Sequence, residues 1–214
     1  MISTLLTGLG RIGQLYDYNL PSDKFNLSHA QALTSDKRFN LLAGVDINSD
    51  HRQRFETKFG KPALCDLSEL KGFPNPELVV IATPAETHEK VVLDLLECVS
   101  PRAILCEKPL SYDLKQSEKI VKECEYRGVD LFVNFIRRTD PAILKLKSML
   151  NKNKLSTTFS GICWYSRGLY NTGSHFVDLF QFLFGQPIAW SFRKKLSQSF
   201  LKYLSFIIGC SNNL

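Results

Sequence analysis

Residues 2–13 read "ISTLLTGLGRIG", and this stretch decides the fold. The run "ISTLL" (2–6) has the composition of a strand buried on both faces, and glycines follow it at positions 8, 10 and 13. That is G-x-G-x-x-G in the setting it needs, after a strand and at the opening of a helix. The first glycine permits a tight turn and the second lets the backbone approach a pyrophosphate. The third lets helix pack on strand. Free N–H groups and the positive dipole end of the helix would then meet the phosphates. Gly8, Gly10 and Gly13 are therefore candidate cofactor-binding residues, with Arg11 and Ile12 between them.

Working outward, four more apolar runs have the same character: "NLLAGVD" (40–46), "LVVIA" (78–82), "AILC" (103–106) and "LFVNF" (131–135). Helix-like stretches lie between them near 50–59, 85–98 and 112–127. Strand and helix alternating in this way predict an α/β fold, a Rossmann-type doubly wound parallel sheet. Beyond it come a helix over 139–152, opened by Asp140-Pro141, a strand within "TTFSGICWY" (157–165), and a helix over 174–185 stopped by Gly185. The expected organisation is a nucleotide-binding domain over 1–136, a partial second α/β domain over 137–190 and a basic tail over 191–214.

Asp46 closes the second strand, where a carboxylate can accept both ribose hydroxyls of NAD and repel a 2′-phosphate. It lies 33 residues after Gly13, against roughly 20 in the usual fingerprint. The excess falls in "YDYNLPSDKFNLSHAQAL", an insertion in or before the first crossover helix. The competing reading of Asp46 is a turn residue at a strand end. NAD is the expected cofactor, with NADP as the alternative.

The 214 residues include 44% hydrophobic and 22% charged, an ordinary soluble composition. The net charge of +6 does not describe a nucleic-acid groove. No acidic residue follows Asp178, and setting aside Arg193, Lys194, Lys195 and Lys202 leaves 23 basic against 21 acidic residues. Six cysteines show neither a C-x-x-C pair nor zinc spacing, so free thiols in a reducing cytoplasm are expected and no metal site is. Neither a signal-peptide core nor an apolar run of membrane-spanning length is seen. The expectation is a cytoplasmic protein.

Residues 106–110, "CEKPL", end a buried run with an acid, a base and a proline. A packed core has no use for a lysine. The carboxyl edge of an open parallel sheet is where ligands bind, and a lysine there can polarise a carbonyl while partial desolvation lowers its pKa. A surface lysine at a strand end is the plainer reading.

"GLGRIG", "AGVDIN", "VVIATPAETHEKVV", "CEKPLSYD" and "NFIRRTDP" together resemble the Gfo/Idh/MocA family, which joins glucose-fructose oxidoreductase, inositol dehydrogenase and rhizopine-catabolism proteins. The match runs in order to about Pro187. The resemblance implies an NAD(P)-binding Rossmann domain, a C-terminal α/β domain, and sugar, polyol or sugar-nucleotide substrates. It places Glu107 and Lys108 beside the nicotinamide, Lys108 on the reacting oxygen, and Pro109 after a cis bond. Thr83 and Pro84 would line the nicotinamide side; His88 would join them or serve only to start its helix. In "NTGSHFVD" (171–178), Gly173, His175 and Asp178 match a second family motif, and Asn171 stands where the family often has aspartate. Imidazole suits proton exchange with a hydroxyl near neutral pH, so His175 is the expected acid/base and Asn171 the orienting residue. The other reading of His175 is a histidine satisfied by Asp178. Trp164, Tyr165 and Arg167 are further candidates for sugar contact.

The resemblance ends after "FGQP". The remainder reads as a foreign or truncated ending without strand alternation, or as a basic amphipathic helix for a membrane surface carrying Phe192, Leu196, Phe200 and Leu204. Helix 174–185 would then expose an apolar face open to self-association. Two functions follow: an NAD(P)-dependent sugar or polyol oxidoreductase, or a nucleotide-binding fragment without turnover. A methyltransferase also uses a glycine-rich first loop, but "EKP" and "GSHFVD" have no place in one.

Overall fold

The structure, a computed structural model, describes residues 1–152, 159–165, 167–186, 189–194 and 202–208. The chain divides into two compact units, Met1–Asn134 and Phe135–Leu214.

The first unit contains β1 (Ile2–Thr7), α1 (His29–Ser35), β2 (Phe39–Val45), α2 (Ser49–Phe59), β3 (Ala63–Leu64), β4 (Leu78–Ile81), α3 (His88–Cys98), β5 (Ala103–Cys106), α4 (Leu114–Tyr126) and β6 (Asp130–Val133). Its six strands pair in the order β3-β2-β1-β4-β5-β6, every pair parallel. The strand order reverses between β1 and β4, and that reversal opens the crevice in which such sheets bind ligands.

Alternate strand residues feed two cores. Leu5, Val45, Val79, Ile81, Ile104 and Cys106 pack with Val92, Leu95 and Leu96 of α3 and Ile120 and Cys124 of α4. Leu6, Leu41 and Val80 pack on the other face with Ala30 and Leu33 of α1 and Phe55 of α2. Burial on both faces is why the runs read as continuously apolar rather than alternating. Shortening a side chain such as the fully buried Ile104 to alanine costs about 2–5 kcal/mol.

Helix starts follow capping chemistry. Asn48 accepts the backbone N–H groups of Asp50 and His51 to open α2, and Asp113 accepts those of Lys115 and Gln116 to open α4. The first crossover departs from a simple helix. A single π-helical turn, Arg11–Leu15, follows the glycines, and α1 begins only at His29. The intervening insertion is pinned at both ends. The buried Asp17 carboxylate accepts the N–H groups of Leu27 and Ser28 and the Ser28 hydroxyl, while Lys58 Nζ donates to the Asp17 and Tyr18 carbonyls.

The second unit contains α5 (Pro141–Lys152), β7 (Phe159–Tyr165), α6 (Ser174–Phe184), β8 (Ala189–Lys194) and β9 (Lys202–Ile208). Its sheet has the order β7-β9-β8, with β9 antiparallel to both neighbours. This corrects the expectation of an ending without strands or with a basic helix. The residues beyond 188 supply two strands, and Phe192 and Leu204 lie in β8 and β9 rather than on one helix; Leu196 and Phe200 fall outside the described residues. Its run "KYLSFII" (202–208) is rich in aromatic and β-branched residues, and pairing on both sides supplies the backbone partners that such a segment lacks alone. Among the described residues, no helix is long and apolar enough to cross a membrane.

Candidate active site

The glycine loop is built by close approach. Gly8 has φ +86°, and a β-carbon on it would stand 2.6 Å from the Ala82 carbonyl carbon and the Thr83 nitrogen, so the backbone just after β4 presses directly on the loop. A β-carbon on Gly13 would stand 2.0 Å from the Gly8 carbonyl oxygen. Around Gly10, by contrast, no atom lies within 4 Å of that position. Two glycines close the loop against the protein, and the middle one leaves open the face that a side chain would obstruct. A pyrophosphate fits this cradle: the first N–H groups of the turn have no partner within it. Arg11 is exposed, its guanidinium 5.2 Å from the centre of the Tyr16 ring, and Ile12 packs on the α1–α2 core.

Asp46 follows β2 at the same sheet edge. Its Oδ2 accepts the Leu9 N–H at 2.7 Å and lies 3.2 Å from His51 Nδ1, while Oδ1 accepts the Asn48 N–H at 2.8 Å. The carboxylate thus ties the phosphate loop to the start of α2. Its bond to the Asn48 N–H is that of a turn residue at a strand end.

Thr83 and Pro84 follow β4 and lead through a short 3-10 turn, Ala85–Thr87, into α3. His88 is wholly buried beneath this loop. Its Nε2 lies 2.9 Å from the Thr83 carbonyl oxygen and its Nδ1 3.1 Å from that of Leu110. A neutral ring can donate to one of the two. His88 therefore lies between the loop after β4 and the segment after β5, with a carbonyl of each within hydrogen-bond reach.

Lys108 stands two residues beyond β5, and the Lys108–Pro109 bond is cis. Burial pulls the Lys108 ammonium below the ordinary lysine value, and the neighbouring Glu107 carboxylate acts in the opposite sense. Glu107 is itself held on three sides. Its Oε1 lies 2.8 Å from His29 Nε2 and accepts Asn134 Nδ2–H at 2.7 Å, and its Oε2 accepts the Lys108 N–H at 3.3 Å. Burial alone pushes its carboxyl up, but the bonds from His29 and Asn134 outweigh this and hold it below the ordinary glutamate range. The sequence reading missed His29 and Asn134. The one available signal was the helix-capping serine before "HAQAL": Ser28 caps α1 and so sets His29 at its first turn.

In the second unit, Leu169–Gly173 form a π-helical turn ahead of α6. Asn171 is exposed in that turn and its carbonyl accepts the Ser174 hydroxyl. His175 sits in the first turn of α6, edge-on to Phe135 with ring centres 6.0 Å apart. Asp178, buried one turn later, receives the Arg138 guanidinium: Nε donates at 2.8 Å to Oδ2 and Nη2 at 2.6 Å to Oδ1. Tyr165 is buried against Gly173, where a β-carbon would stand 2.9 Å from its ring; Trp164 is exposed. Arg167 has φ 63°, an uncommon left-handed arginine next to Gly168.

A family model described as "Oxidoreductase family, NAD-binding Rossmann fold", that of the Gfo/Idh/MocA proteins, matches residues 3–135. Inositol 2-dehydrogenase 2 of Mycolicibacterium vanbaalenii is 32% identical over 142 residues, covering 61% of this chain and 41% of the relative. Myo-inositol 2-dehydrogenase of Thermotoga maritima is 29% identical over 149 residues, covering 69% of this chain and 40% of the relative. The chain thus spans about two fifths of the length of these curated relatives. Among solved structures, the WlbA dehydrogenase of Bordetella pertussis, in complex with NADH and UDP-GlcNAcA, superposes with a TM-score of 0.74 at 21% identity, over 91% of this chain and 62% of that one. That likeness speaks for the fold. The cradle of Gly8, Gly10 and Gly13 and the match over residues 3–135 lead to one assignment: this chain belongs to the Gfo/Idh/MocA family of NAD-binding Rossmann-fold oxidoreductases.

Proposed function

We propose that this chain serves an NAD(P)-dependent oxidoreductase that transfers a hydride between the nicotinamide and a hydroxyl or carbonyl of a sugar, polyol or sugar nucleotide. The observation that carries the reading is the shared edge of the first unit's sheet. The glycine loop after β1, Asp46 after β2, Thr83-Pro84 after β4 and Lys108 after β5 all lie at the carboxyl ends of parallel strands. The names of the relatives, inositol dehydrogenases among them, support a polyol-like substrate.

In this reading the glycine loop holds the pyrophosphate, Asp46 the adenosine ribose, and Thr83 and Pro84 the nicotinamide end. The bound nicotinamide supplies the hydride acceptor or donor. Lys108 donates a hydrogen bond to the reacting oxygen. A charged ammonium there stabilises the alkoxide-like oxygen that develops during transfer, and its lowered pKa brings proton exchange closer to neutral pH. The family resemblance assigns proton exchange to His175 and substrate orientation to Asn171, both residues of the second unit.

The test is to supply NAD+ and a panel of polyols and sugars to the 214-residue chain and to Lys108→Met, following absorbance of the reduced nicotinamide. Turnover in the native chain that falls at least about a thousandfold in Lys108→Met, with cofactor binding intact, is the expected outcome. Undiminished turnover in the variant would remove Lys108 from the chemistry.

A further inference from the structure

His29 is the first residue of α1, directly after the insertion, and nothing in the glycine motif or in "EKP" points to it. Its ring nonetheless reaches Glu107, 78 residues away, at 2.8 Å, and both side chains are 13% exposed. Asn134, next to the end of β6, donates to the same Glu107 oxygen. Three elements, α1, β5 and β6, therefore converge on one carboxylate immediately beside Lys108. We infer that His29 is a positioning residue for Lys108: by holding the Glu107 carboxylate toward itself and Asn134, it keeps that negative charge from closing on the lysine ammonium. This rests on Lys108 being the residue that meets the reacting oxygen.

The physical reasoning concerns a nearly buried negative charge with few partners. A carboxylate out of water takes whatever donors it can reach. Among the described residues, the titratable and charged groups facing Glu107 are His29 from α1, Lys108 beside it and the buried Cys106 thiol that precedes it; Asn134, just after β6, is neutral. Loss of the His29 bond leaves the carboxylate short of one donor, and Lys108, which already donates its backbone N–H to Oε2, is an adjoining cation toward which that charge can act. An ion pair formed there would stabilise the charged lysine and weaken it as a proton donor. Removing the Glu107 charge does the reverse, because burial then acts on Lys108 unopposed.

The two substitutions thus predict opposite movements of one lysine. The experiment is competitive labelling of the full chain with acetic anhydride across pH, with the Lys108 peptide quantified by mass spectrometry. It requires no turnover. In His29→Ala, labelling of Lys108 at pH 8 falls about threefold and its midpoint moves up. His29→Gln, which keeps a donor of similar reach, restores it. Glu107→Gln moves the midpoint down. Should His29→Ala not fold, Asn134→Ala removes the other donor and gives the same upward movement. Unchanged Lys108 labelling in these variants, or movement of His29→Ala and Glu107→Gln in one direction, would overturn the assignment. NADH binding and turnover measured on the same samples keep the two questions apart. Lys108 midpoints that shift as stated while Lys108→Met retains turnover would sustain the electrostatic link and remove the role of Lys108 in catalysis.

Discussion

Gly13 lies so close to Gly8 that a β-carbon on the first would stand 2.0 Å from the carbonyl oxygen of the second. No side-chain rotation relieves such a contact, because the obstructing atom is backbone. Gly13→Ala must displace either the first strand-to-helix turn or the strand end beneath it. We expect a loss of about 1–3 kcal/mol in stability and at least about tenfold in NADH affinity, read by urea unfolding and fluorescence titration. Gly10→Ala should differ. Its β-carbon meets nothing in the protein, so stability is kept and only nucleotide binding falls.

Asp46 gives a different signature, because its carboxylate serves the loop and, in the proposed function, the ribose. Asp46→Ala removes the acceptor of the Leu9 N–H and of the Asn48 N–H. NADH affinity is expected to drop by roughly ten- to a hundredfold, while NADPH, no longer repelled at its 2′-phosphate, loses less. Paired titrations with the two nucleotides measure this, and an equal loss for both would remove Asp46 from ribose recognition.

In the second unit, Arg138 and Asp178 form a two-pronged ion pair whose carboxylate is almost fully buried. Arg138→Met keeps the aliphatic stem but leaves Asp178 without its cation. Because the guanidinium is nearly half exposed, screening limits the cost, and about 1–3 kcal/mol is expected. Limited proteolysis should show faster cleavage around α6. The double variant Arg138→Met/Asp178→Leu should recover much of the loss, since it removes the stranded charge.

Much of the first unit was legible because its signals are local. The apolar runs 2–6, 40–46, 78–82, 103–106 and 131–135 all became strands of one sheet, displaced by no more than two residues at an end. β3 went unread because Ala63–Leu64 is only two residues long and is defined by pairing with β2. His29 was invisible for a related reason. Its partner lies 78 residues away, and a 13-residue insertion separates it from the loop that would have drawn attention to it. The strands β8 and β9 were missed because their partners are each other and β7, and a lone segment without its ladder shows only composition. The Arg138 partner of Asp178 lies forty residues upstream, beyond what helical spacing can show.

The pH dependence of stability follows from Glu107. Its folded pKa lies below the ordinary value of 4.5, so it contributes stability that is present above that value and is lost as pH falls through the lower, folded one. Glu107→Gln lacks this contribution. The stability gap between native chain and variant should be full near neutral pH and should close as pH falls below 4.5. Urea midpoints for both proteins, taken between neutral and acid pH, measure it. A gap that stayed constant would mean that His29 and Asn134 do not favour the charged carboxylate.

The most direct measurement is a fluorescence titration of the 214-residue chain with NADH, repeated with Gly13→Ala. The account predicts saturable binding to the native chain that NAD+ displaces and S-adenosylmethionine does not, and that Gly13→Ala weakens at least about tenfold. A folded native chain that binds no NADH, or a Gly13→Ala chain that binds it as tightly, would contradict the glycine cradle as a nucleotide site.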